Sequence, residues 1–118
     1  MFLPTDLQSV QAAFGAVAAN TLATITPLAA PGAGLQYRIW GWAGAHTNTN
    51  QTPLRDWWFL TNNVVTLTQA SSTGFEGPVV NIPGGLAWGT NRVVVAAVVG
   101  DLLNVARGIV ILYTIENT

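Results

Sequence analysis

The chain has 118 residues, enough for one domain with one core, and carries a net charge of −1. Half of it is hydrophobic and only 8% is charged; the four cations are all arginine (Arg38, Arg55, Arg92 and Arg107), and cysteine is absent. This balance excludes a basic patch for nucleic acid, a thiolate metal site, a disulfide framework and a cysteine nucleophile.

In chain order, "MFLPTDLQSV" lacks the basic region of a signal peptide, and Pro4, Asp6 and Gln8 interrupt its apolar residues. Residues 1–7 are expected to form an arm that presents Phe2 and Leu3 to a neighbouring chain. A strand is expected near 8–14. "NTLATITPL" alternates, with Leu22, Thr24 and Thr26 on one face and Ala23 and Ile25 on the other. "LQYRIWGW", 35–42, is bounded by "APGAG" and the polar run "AGAHTNTNQTP". "DWWFLTNNVVTLTQ", 56–69, reads as one long strand or as two broken at Asn62-Asn63. "GPVVNIP" is short, carries proline at both ends and suits a sheet edge.

The most apolar stretch is "RVVVAAVVGDLLNVARGIVILYTIE", 92–116. A membrane helix needs about 20 apolar residues in succession. Here Gly100, Asp101, Asn104, Arg107 and Gly108 interrupt the run. Its β-branched blocks predict two strands, about 92–99 and 108–116, joined by "GDLLNVAR". Seven or eight short strands with glycine and proline punctuation predict a single antiparallel β-sandwich or barrel, all-β, with no second domain. A sandwich strand with one wet face alternates apolar and polar residues. Ile109, Ile111, Tyr113 and Ile115 instead oppose Val110, Leu112 and Thr114, and Trp57 and Phe59 oppose Trp58 and Leu60. Apolar residues on both faces imply cover on both sides. The second face is therefore expected to meet other copies of the chain, with a loop or terminal arm supplying part of the cover.

The order of segments resembles a family of small β-sandwich structural proteins of tailed bacteriophages. The likeness spans roughly residues 8–116 and rests on "AAFGAVAANTLAT", "GAGLQYRIWGW", "GPVVNIPGGLAW", and "GDLLNVAR" followed by a strand ending "YTIE". The resemblance implies a jelly-roll-like fold and a place on the virion, as a capsid decoration or cement protein, a head fibre or part of a tail. It implies synthesis in the host cytoplasm and residence on the capsid surface. Its partners would be the chain itself, with a trimer favoured, and the major capsid protein or another virion protein, with neither nucleic acid nor membrane. The loop 44–56, "GAHTNTNQTPLRD", is longer and more polar than that family leads one to expect. It leaves open a second reading, a fibre or tail module that recognises a host surface glycan.

No catalytic constellation is expected. His46 is the lone histidine and lies in a polar run, and the acids Asp6, Asp56, Glu76, Asp101 and Glu116 fall in five separate segments. The glycine-rich "PGAG" and "PGGLAWG" lack the lysine and hydroxyl of a phosphate loop. No enzyme activity, metal or cofactor is expected. The candidate partner-facing residues are Phe2, Leu3, Arg38, Trp40, Trp42, Arg55 and Trp58, because arginine and tryptophan are enriched at interfaces while lysine, absent here, is depleted. In an extended 36–43, Arg38, Trp40 and Trp42 share the expected interface side, and Tyr37, Ile39 and Ala43 the expected core side.

Overall fold

The computed structural model describes residues 7–14, 22–46, 54–74, 77–100 and 106–118. Among them are eight strands and no helix: β1 (Gln8–Phe14), β2 (Leu22–Leu28), β3 (Leu35–His46), β4 (Leu54–Thr61), β5 (Thr66–Gly74), β6 (Val79–Ala87), β7 (Val94–Gly100) and β8 (Arg107–Asn117). They form two four-stranded sheets, β1-β8-β3-β6 and β2-β7-β4-β5, with antiparallel pairing throughout. Strands from opposite ends of the chain sit side by side, β1 on β8 and β2 on β7. This is the eight-stranded order of a jelly roll.

The ambiguous 56–69 run is two strands. Asn62 makes the break: its side-chain oxygen accepts from the backbone N–H groups of Val64 and Val65, and Asn63 takes a positive φ of 69°. That local turn chemistry competes with continued extension. β6 is an edge strand, as its prolines suggest, but it continues through Pro83 to Ala87. It does so by bulging: Asn81 pairs with Gly41 while Leu86 pairs with Ile39, so residues 82–85 face a single intervening position of β3. β3 runs past the expected strand end to His46, which is half-buried opposite Arg107 rather than placed in an open loop. The arm residues 1–6 and the segment 101–105 lie outside the described residues.

The core lies between the sheets. From β1, β8, β3 and β6 it takes Phe14, Ile109, Ile111, Tyr37, Ile39 and Trp42, with Val80, Ile82 and Leu86 packed against them. From β2, β7, β4 and β5 it takes Leu28, Val94, Ala96, Val98, Trp58 and Leu60, with Ala23, Ile25 and Ala70 alongside. Trp88, just beyond β6, is buried and donates its indole N–H to the Val93 carbonyl. At the end of the sandwich where β3, β7 and β8 have their residues 46, 100 and 107, Arg107 crosses between sheets. It donates from Nε and Nη2 to the two Asp56 carboxylate oxygens at 3.0 and 2.9 Å, and both side chains are fully buried. Gly100 makes room for the pair, because a Cβ there would overlap the guanidinium.

Candidate functional site: the two outer sheet faces

Two of the expected partner-facing residues belong to the core. Trp42 is 3% exposed and Trp58 1%. For Trp42 the reason is a β-bulge. Ile39 pairs with Tyr113 and Gly41 with Leu112, so Trp40 is an extra residue in β3. One inserted residue reverses the inside–outside parity of everything beyond it. Trp42 therefore turns inward beside Ile39, where its indole N–H meets the Thr68 hydroxyl at 3.3 Å, and Ala43 turns outward. For Trp58 the reason lies in the opposite sheet. Gly44 of β3 leaves the space its ring fills, since a Cβ at 44 would lie 2.7 Å from the indole. Trp57, one residue earlier, is the exposed member of the pair.

Arg38, Trp40 and Arg55 do face outward. Arg38 and Trp40 sit at one end of the outer face of β1-β8-β3-β6. Arg38 donates from Nε and Nη2 to the Glu116 carboxylate and from Nη1 to the carbonyls of Gly84 and Gly85. Trp40 donates its indole N–H to the Thr114 hydroxyl at 2.9 Å. The β6 bulge lies over both side chains. Gly85 has φ +74°, and any Cβ there would collide with Arg38. The hydrogen bond from Arg38 holds the Glu116 carboxyl below the ordinary carboxylate value; burial opposes this and the Gln36 amide assists it. Arg38 and Trp40 are thus engaged within the chain, as a latch between β3, β6 and β8. Phe2 and Leu3 lie outside the described residues.

Beyond that latch the same face is aliphatic. The registers align Ala13, Gly108 and Ala45 in one row, Gln11, Val110, Ala43 and Val79 in the next, and Ser9, Leu112, Gly41 and Asn81 in a third. These rows contain no charged side chain. Val79 is 74% exposed and Leu112 40%.

The outer face of β2-β7-β4-β5 is aromatic at its centre. One row reads Leu22, Val99, Trp57, Ser71 and the next Thr24, Ala97, Phe59, Gln69. Ala97 is buried although it points away from the core, in the row between Thr24 and Phe59. Trp57, Phe59, Gln69, Ala70 and Ser71 line a groove of about 330 Å³. Trp57 and Phe59 are the functional candidates that sequence reasoning left out. Alternation puts Trp57 and Phe59 on one face of β4 and Trp58 and Leu60 on the other, so periodicity alone does not choose between them.

Among the described residues no group of three or more acidic or histidine side chains is arranged to hold a metal, and no helix is long and apolar enough to cross a membrane. The fold defines the class: a small jelly-roll sandwich with one largely aliphatic and one aromatic outer face. The chain matches no protein-family model, no curated protein and no solved structure.

Proposed function

We propose that this protein is a non-enzymatic structural component of a virion, a capsid decoration or cement protein whose copies associate with one another and with the shell. The observation that carries the reading is the part of the outer face of β1-β8-β3-β6 beyond the Arg38–Glu116 latch, which holds no charged side chain and exposes Leu112 on the inner strand β8 and Val79 on the edge strand β6. Contiguous apolar patches of this kind mark protein contacts. The flatness of small residues such as Ala43, Ala45 and Gly108 lets a second sheet approach closely. An 8% charge content and the absence of lysine support the same reading. The bacteriophage assignment rests on the resemblance of the segments between residues 8 and 116.

The test is the mass of the purified protein by light scattering at micromolar concentration, followed by co-sedimentation with capsid shells assembled without it. The expected mass is a multiple of 12.4 kDa, with three copies favoured. Leu112→Asp and Val110→Asp are expected to reduce that mass to the monomer while preserving the strand content by circular dichroism. A monodisperse wild-type monomer that ignores the shells sinks the proposal.

A further inference from the structure

The groove on the opposite face has a different chemistry. We infer that it binds a neutral saccharide, with Trp57 and Phe59 as the stacking surface. The two rings come from alternate positions of β4 and point to the same side, about 6.8 Å apart along the strand. Directly across each ring, on β5, stands a neutral hydrogen-bonding side chain: Ser71 opposite Trp57 and Gln69 opposite Phe59. A pyranose needs this combination. Its C–H face is apolar and packs flat on an aromatic ring, while its hydroxyls lie around the rim and seek amides and hydroxyls.

Charge narrows the ligand class. None of the groove-lining residues is charged. The nearest charged side chain in sequence on that face is Arg55, two positions before Trp57. A phosphate or polyanion would find no cluster of cations here, so a neutral sugar fits better than an acidic one. A second copy of the chain fits less well. β5 forms the open edge beside the groove, and on the groove side it presents Gln69 and Ser71 rather than aliphatic residues. A volume of about 330 Å³ is at the small end of ligand sites and suits one or two sugar rings.

This face is distinct from the one assigned to assembly, so the two readings fail separately. The experiment applies the intact protein to an array of immobilised neutral and acidic glycans. Free neutral oligosaccharides are then titrated at up to millimolar concentration while tryptophan fluorescence is followed. Retention on neutral glycans is expected. Trp57→Ala is expected to weaken binding about tenfold or more while remaining folded, with at most a small drop in thermal midpoint, and Trp57→Phe to keep part of the binding. Gln69→Ala is expected to weaken binding while leaving the indole in place, and it serves if Trp57→Ala fails to fold. Leu112→Asp, on the other face, should leave sugar binding unchanged. The inference is overturned if no neutral glycan binds at millimolar concentration or if only acidic glycans are retained. It is equally overturned if binding persists in folded Trp57→Ala, or if that variant loses oligomer mass while glycan binding is untouched, which would make the groove a protein contact.

Discussion

Trp57 and Trp58 are adjacent, chemically identical and opposite in role. Trp58 is enclosed by Phe14 and Trp42 at ring distances of 6.3 and 6.4 Å and lies over Gly44. Trp57 is 38% exposed at the groove. Truncating a fully buried aromatic side chain removes its transfer free energy and leaves a cavity the core cannot close. Trp58→Ala is therefore expected to cost about 3–5 kcal/mol. Trp57→Ala is expected to cost clearly less, under about 1 kcal/mol, because its ring is 38% exposed and its removal leaves an open groove rather than a closed cavity. Denaturant titration of the two variants, read as midpoint shifts at constant slope, measures the difference. Equal losses would mean that the outer face is as tightly packed as the core.

At the scale of elements, the decisive devices are irregularities rather than regular pairing. The Trp40 bulge in β3 and the 82–85 bulge in β6 face each other in one register shift. Together they place Arg38 under the Gly84 and Gly85 carbonyls and beside Glu116 near the end of β8. The latch has a pH signature. Its hydrogen bond from Arg38 lowers the Glu116 value from the ordinary 4.5, so the folded chain favours the ionised carboxylate. The resulting stabilisation is complete above the ordinary value. It is lost as the pH falls through the lowered one, where folded and unfolded chains are both protonated. Both side chains are partly exposed, 28% and 33%, so solvent screens the pair and the effect is small. Glu116→Gln is expected to melt slightly earlier than wild type at pH 7, and the gap should close as the pH falls from the ordinary 4.5 through the lowered value. A gap that is independent of pH would assign the loss to packing at the β3–β8 end instead of to the charge.

At the scale of the whole molecule, the sheets are joined by the apolar core and, at one end, by Arg107 and Asp56. A buried pair gains little over well-packed apolar residues, yet removing one partner leaves the other charged and dehydrated. Asp56→Ala is expected to cost about 3–5 kcal/mol, measured by denaturant midpoint. Replacing both, Asp56→Leu with Arg107→Met, is expected to recover most of that loss, because no charge remains stranded between the sheets. If the double variant is as unstable as the single one, the pair is needed for the sheets to align.

The periodicity, β-branched runs and glycine–proline punctuation determined the all-β class, most of the strand positions and the excess of apolar surface. These are local properties, set by backbone propensity and by which residues can leave water. The tertiary structure decided which apolar face was which. Ile109 and Ile111 could be assigned together to one face, but Trp42 changed sides because a bulge at Trp40 reversed the parity of β3. Trp58 turned inward because Gly44, on the other sheet, left the space. Arg107 and Asp56, 51 residues apart, met across the core through the jelly-roll order. A strand's own pattern fixes only the alternation of its side chains. Whether the first of two faces looks in or out depends on register, bulges and the shape of the opposing sheet, which are contacts between residues distant in the chain.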